Sequence, residues 1–548
     1  MAQLTTGQAV VQSLLKHGVD TVFGMPGAQV YDLYDALYEV KDKIKMVLVR
    51  HEQAAAYMAY GYARSTGKVG VFSVVPGPGV LNTMSALCTA HGSNVPLVCL
   101  TSEIPSDFAG KGRRHLHEIP DQRGTLKSLI KWAEQCDRPE DAPGMVNDAF
   151  KQAQSGRPGP VSLQVPWDVL GLKSEVTLLE PEELERPTAP ADQIEAAADL
   201  IAKAKAPMVY VGGGALHAGD EVIELAERLG APIASFRSGR GVVSDKHPLA
   251  VMLPVAGELW DETDLVIGIG SRLEGPYMRW NQMQWMERPA DPKLVRIDID
   301  PKEMDYWPAD AGVIGDSKPT TKALTAALAE RGVNFEGRAE KIATAKQKVR
   351  EEIEVVQPQM SILDTVREVL PDDGFVTGEM TQVGFTSQVG FPVHRNRCYV
   401  TCGHQDGLGY GFLTALGVKV ANPDKMVICL TGDGGFQFGL QELATAKQFG
   451  INLITIVFNN SAFGNVRRDQ EMRFGGRVIG ADLDNPDFPV LAEAYGVGGY
   501  QVTDAAGLKN ALEKAATKEE PAVIDYLIET GSEGSPWPFI IRDAWSGK

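Results

Sequence analysis

The chain of 548 residues is too long for a single hydrophobic core and is expected to divide into about three domains of ~150–200 residues. With 44% hydrophobic and 23% charged residues its composition is that of a globular protein, and no run of about 18 apolar residues is present to span a membrane. A net charge of −18 leaves no basic stripe to displace counterions, which excludes nucleic acid and anionic membrane surfaces as expected partners.

The opening segment, MAQLTTGQAVVQSLLKHG, has no basic start or greasy middle and reads as an amphipathic helix rather than a signal peptide. Apolar runs of strand length follow at 45–50, 69–75, 96–102 and 160–166, separated by helical patterns such as EQAAAYMAYGYARST. That alternation predicts a parallel sheet covered by helices, the first domain, over 1–175. A Pro-rich polar stretch at 178–191 reads as a linker. A second α/β unit, over 190–335, has strands at 207–211, 231–233, 264–271 and 293–300. A charged helical connector at 338–356 leads to a third unit, over 357–548, with strands at 374–380, 425–435, 451–460 and 521–529. The fold class is therefore α/β, three doubly wound parallel-sheet domains, the first and third alike in layout. Six cysteines without disulfide or zinc spacing read as reduced, mostly buried thiols, and a cytoplasmic enzyme is expected.

The run MVICL (426–430) ends in GDGG, and INLITIVF ends in Asn459-Asn460. Taken alone, Asp433 among glycines suggests a hairpin turn. The helical pattern between the two runs argues against it, because a strand–helix–strand crossover lays both strands parallel in one sheet. Asp433 and Asn460 then share the carboxyl edge, where open α/β sheets bind ligands. Two hard oxygen donors there suit Mg²⁺, and the glycines admit phosphate close to the backbone and a helix N-terminus.

GDG, 24 residues, then NN resembles the signature of the thiamine-diphosphate (ThDP)-dependent decarboxylases and carboligases. FGMPGAQ (23–29), RHEQAAAYMAYGYARSTGKVGV (50–71) and PGPGVLN (76–82) resemble that superfamily's N-terminal turn, its glutamate-bearing segment and its GPG-N loop, in the family's order. NPDFPVLAEAYGV (485–497) is similar to the acetolactate synthase large subunit, the member this chain most resembles. The resemblance implies pyrimidine-binding, middle and pyrophosphate-binding domains, with ThDP and Mg²⁺ as cofactors. Glu52 would hydrogen-bond the cofactor's aminopyrimidine ring, work best done where water is scarce. Asp433, Asn460 and the carbonyl of Ala462 would hold the metal. Pro26, Gly27, Asn82, Thr381, Gln382, Gly432, Gly434, Gly435, Phe463 and Gly464 would surround the cofactor, and Leu408 would keep it bent. LHEIP resembles the FQETP of acetolactate synthases, so His117 stands where that family has a glutamine. With His115 it makes a paired-histidine segment that resembles those of pyruvate-decarboxylase-type enzymes, which implies a proton-shuttling role. Histidine suits proton transfer near neutral pH. Ala28, Gln29 and His404 would line the substrate pocket.

The resemblance also implies 2-oxo acid and aldehyde or ketone substrates, and a homodimer or homotetramer, because the family builds its site between subunits. A second reading keeps the cofactor and takes an acyl-CoA, as in 2-hydroxyacyl-CoA lyases and oxalyl-CoA decarboxylases. A third is a non-catalytic cofactor binder, against which Glu52 argues. Three segments depart from acetolactate synthases. NNSAFGNVRRDQEMRFGG has no tryptophan and has Asn465 in place of a methionine; MLPVAGE and SRLEGPY replace the GMHG-like and FDDR-like segments. FAD is therefore not expected. The apolar tail at 533–545 is expected to fold over something, either the active site as a lid or another subunit.

Overall fold

The computed structural model describes residues 2–284 and 287–543. It contains three six-stranded sheets, each wholly parallel. In the first, the strands lie in the spatial order Lys45–Leu48, Thr21–Gly24, Gly70–Val74, Leu97–Glu103, Val161–Pro166, Trp132–Gln135. The third runs Tyr399–Thr401, Phe375–Gly378, Val427–Gly432, Ile454–Asn459, Ala522–Leu527, Gly498–Val502. Numbered within each domain, both orders are 2-1-3-4-6-5, so the likeness of layout extends to strand topology. The middle sheet instead runs Ala250–Met252, Ile233–Ser235, Pro207–Val211, Leu265–Ile269, Lys293–Asp298, Ala311–Ile314, the order 3-2-1-4-5-6.

The central strands are apolar throughout because helices cover both faces. Val427–Gly432 and Ile454–Asn459 pair parallel from Ile428 opposite Ile454 to Gly432 opposite Phe458, which excludes a hairpin at GDGG. Two expectations need correction. The N-terminus begins with a short strand, Ala2–Thr5, paired antiparallel with Lys173–Val176, and the helix starts only at Thr6. Thr5 and Gln8 form a reciprocal cap there, which stops the helix from extending back. The helix expected after GDGG is broken into Asp433–Phe436, a 3₁₀ turn Leu440–Glu442 and Leu443–Phe449.

The first and third domains share one hydrophobic core. Its centre is the contact between helices Glu52–Thr66 and Tyr410–Ala421. Both are apolar almost all round and accordingly buried. Their backbones touch: a methyl group on Gly417 would overlap the Met58 carbonyl, and one on Gly61 the Thr414 carbonyl. Tyr410 packs edge-on against Tyr57 and Tyr60 at 5.6 and 5.5 Å. Among the described residues no helix is long and apolar enough to cross a membrane.

Candidate active site

In a sheet of order 2-1-3-4, the crevice opens between strands 1 and 3 at their carboxyl ends. In the first domain that point brings FGMPG beside PGPG: a methyl on Gly27 would lie 2.6 Å from Val75 Cγ1. Gln29 is fully buried; its Nε2 donates to the Leu116 carbonyl at 2.9 Å and its Oε1 lies 3.1 Å from His117 Nδ1. Gln122 accepts from Gly77 N at 2.7 Å and ties the GPG loop to the same segment. Gln29 and His117 therefore come together, with Ala28 next to Gln29 in the chain. Burial pushes the His117 pKa below the ordinary imidazole value, which favours the neutral ring. His115 turns away and stacks on Phe108 at 4.8 Å. Glu52 opens its helix, 9% exposed, and its Oε2 accepts from Asn82 Nδ2 at 2.9 Å.

In the third domain the same point faces residues 379–382 toward 432–435. Thr381 caps helix Gln382–Gly390 by accepting from Gly384 N, and a methyl on Gly432 would lie 3.0 Å from its Cγ2. Asp433 is 2% exposed and begins its own short helix; Gly434 N and Asn485 Nδ2 donate to its two oxygens at 2.8 and 2.7 Å. Burial raises the Asp433 pKa, opposed by Asn485 and by the backbone N–H groups of Gly434, Ala462 and Ser461. The turn 460–462 thus closes on Asp433. Asn460 donates from Nδ2 to Glu533 at 2.7 Å, and its Oδ1 accepts from Ala462 N at 3.1 Å. The Phe463 ring covers Gly434, and Gly464 begins helix Gly464–Arg473. Leu408 is half-buried in the loop before Tyr410. A buried carboxylate with no lysine or arginine partner among the described residues, beside an amide oxygen, fits a hard divalent cation.

His404 is the exception. It packs on Gly92 and lines a cavity of about 1450 Å³ with His91, Arg157 and Arg272, away from Gln29 and His117. A second cavity of about 430 Å³ lies at the switch point of the middle sheet, lined by Gly212–Gly214, Asp298 and Asp316. Among the described residues, the hydrogen bonds at Glu52 and His117 stay within the first domain, and those at Asp433 and Asn460 stay within the third.

Sequence reasoning gave no role to Asn485, Glu533 or Glu379, and noted Asn465 only as a departure from the family pattern. Asn485 bridges Asp433 and Asn459. Glu533 brings the tail to Asn460, and Trp537 carries it on against Phe385 at 4.7 Å. Residues 544 and 545 of the tail lie outside the described residues. Asn465 Oδ1 receives Arg468 at 2.8 Å and Gln382 at 3.4 Å. Glu379, following strand Phe375–Gly378, is 2% exposed; it accepts from Gly409 N at 2.7 Å and from Thr431 Oγ1. The signal for it was a carboxylate in GFVTGEM at the end of an apolar strand.

Burial pushes Glu379 from 4.5 up to about 7. Folding then takes up a proton between those values, so stability is present below about pH 4.5 and is lost as pH rises through 7. The whole effect is about 3 kcal/mol. Urea unfolding of the cofactor-free protein should show this slope, and Glu379→Gln should flatten it, being the more stable form at pH 8.

Family models match all three domains. The thiamine pyrophosphate enzyme N-terminal TPP binding domain matches residues 4–125, the central domain 194–324 and the C-terminal TPP binding domain 379–526. The chain belongs to the thiamine pyrophosphate enzyme family. A relative named "Probable 2-ketoarginine decarboxylase AruI" from Pseudomonas aeruginosa is 34% identical over 93% of this chain and 91% of its own length. The acetolactate synthase large subunit of Haemophilus influenzae is 33% identical over 98% of this chain and 96% of its own. The acetolactate synthase isozyme 3 large subunit of Escherichia coli is 32% identical over 94% and 92%. Within this family of thiamine pyrophosphate enzymes, the two switch-point crevices described above fall inside the N- and C-terminal TPP binding domains.

Proposed function

We propose that this thiamine pyrophosphate enzyme decarboxylates a 2-oxo acid and passes the remaining acyl group to a proton or to an aldehyde or ketone acceptor, using Mg²⁺, in the cytoplasm. The observation that carries the reading is the convergence of buried Asp433 with the Asn460–Ala462 turn at the carboxyl edge of the C-terminal domain. Thiamine diphosphate, when bound, supplies the electron sink that lets CO₂ leave. Asp433, Asn460 and the Ala462 carbonyl would hold the metal at the cofactor's diphosphate end, with Thr381, Gln382, Gly432, Gly434 and Gly435 around it.

Glu52 has one carboxylate oxygen engaged by Asn82, which leaves the other to hold a proton at the cofactor's ring nitrogen. His117 faces Gln29 through Nδ1, which leaves Nε2 to move a proton at the substrate. Asn465, Arg468 and Gln382 form a polar wall beside the cofactor edge, which suits a donor with a polar side chain. Glu52 and Asp433 lie in different domains and share no hydrogen-bond partner among the described residues, and the family resemblance, with its site built between subunits, supports a homodimer or homotetramer that pairs them across subunits. FAD is outside the proposal, on the strength of MLPVAGE and SRLEGPY.

Thermal unfolding with ThDP and Mg²⁺ together tests the cofactor assignment. Ligand at 100 times its Kd adds about 2.7 kcal/mol, and chelation of the metal should remove the gain. A panel of 2-oxo acids with apolar and polar side chains, scored for CO₂, then identifies the donor. No CO₂ from any of them, in a protein that binds the cofactor, rejects the proposed reaction.

A further inference from the structure

The loop 402–409, which carries Leu408, has an unusual backbone. Gln405 and Asp406 sit at φ 66° and 50°, and Gly409 follows at 83°. Residues with a Cβ persist in the left-handed region only where their surroundings hold them there. The hold comes from the middle domain. Arg237, 6% exposed and itself at φ 47°, extends NH2 to Asp406 Oδ1 at 3.0 Å and NH1 to Glu274 Oε1 at 3.1 Å. Glu274 is gripped from the other side by Arg279 at 2.7 Å, and Cys402 Sγ donates to the same Asp406 oxygen at 2.8 Å. Two cations and two carboxylates therefore balance in a largely buried chain that crosses from the middle domain to the loop.

Such a chain contributes little net stability, because desolvating the ions offsets their attraction. Removing one member leaves a buried charge unpaired, so the geometry is held tightly. Arginine suits this role because one planar guanidinium can bind two carboxylates at once, which a lysine ammonium cannot do in the same plane.

We propose that Arg237 is a positioning residue for the cofactor: through Asp406 it fixes the loop so that Leu408, two residues on, stands where it keeps thiamine diphosphate bent. The inference rests on the reading of Leu408 given above. Arg237 acts through Asp406 and not by contact with cofactor or substrate. The middle domain, which supplies neither half of the site, thus sets how well the C-terminal domain binds its cofactor.

The test uses the full-length protein with saturating Mg²⁺ and compares wild type, Arg237→Met, Asp406→Asn and the double variant. Calorimetric ThDP affinity and the near-ultraviolet circular dichroism of bound cofactor are the readouts. Each single variant should bind ThDP at least about tenfold more weakly, with an altered dichroism band and an unchanged KM for the 2-oxo acid. The double variant should be no worse than either single one, as for two residues acting through one contact. If Arg237→Met does not fold, Asp406→Asn, at a more exposed site, decides alone. Wild-type affinity and an unaltered dichroism band in a folded variant overturn the proposal. Additive losses in the double variant overturn it as well, since they deny the shared contact. Failure of the wild type to bind ThDP would instead bring down the reading of the site, and this inference with it.

Discussion

Glu52→Gln is expected to lower kcat by about 10²–10⁴-fold while leaving the stabilisation by ThDP and Mg²⁺ nearly intact. Glutamine keeps the size of the side chain and can still accept from Asn82, so helix Glu52–Thr66 keeps its start. What it loses is an oxygen able to carry a proton for the cofactor's ring nitrogen. The metal end of the site is built from the other domain, at Asp433 and Asn460, and does not sense the change. Steady-state rates on the 2-oxo acid identified by the panel, beside thermal shifts of the same preparations, separate the two effects. Retention of more than a tenth of the wild-type kcat would remove Glu52 from proton handling.

Gly417→Ala should be among the most destabilising single methyls in the molecule's interior. The added carbon meets a backbone carbonyl, that of Met58, which has no rotamer by which to withdraw, so the two helices must part. Overpacking of this kind costs about 3 kcal/mol, at the upper end of the usual range. Gly61→Ala strikes the Thr414 carbonyl in the same contact. Once the first methyl has separated the helices, the second meets less resistance, so the double variant should lose less than the sum of the two. Urea unfolding of the three variants checks both the size and the shortfall. A loss below about 0.5 kcal/mol in Gly417→Ala would mean that the helices are not held at this distance in solution.

How far the site could be read in advance follows from where its parts lie along the chain. Asp433 and Asn460 each end an apolar run, and the intervening pattern forces a parallel crossover, so their shared edge was legible from local order alone. FGMPG and PGPG were legible as motifs, and the strand order explains them, since each follows one of the two strands flanking the switch point. Glu379 was hidden because its partners, Gly409 and Thr431, are 30 and 52 residues away in sequence. Asn485 and Glu533 reach Asp433 and Asn460 from segments with no periodic pattern to place them. His404 was singled out for its nearness in sequence to Leu408; in the chain it lies against Gly92 and lines the cavity with His91, Arg157 and Arg272, a placement that sequence order alone does not give. Short strands at sheet edges, such as Tyr399–Thr401 and the Gly-containing Gly498–Val502, depend on pairing rather than propensity and left little trace.

The backbone contact between the two central helices also bears on how a substrate gets in. With Gly61 and Gly417 against main-chain carbonyls, a hinge between the first and third domains would have to break that seam. Any opening that spares this seam would have to come from elements outside it, such as the irregular span 104–120 that carries His117 or the tail segment that reaches Asn460 through Glu533.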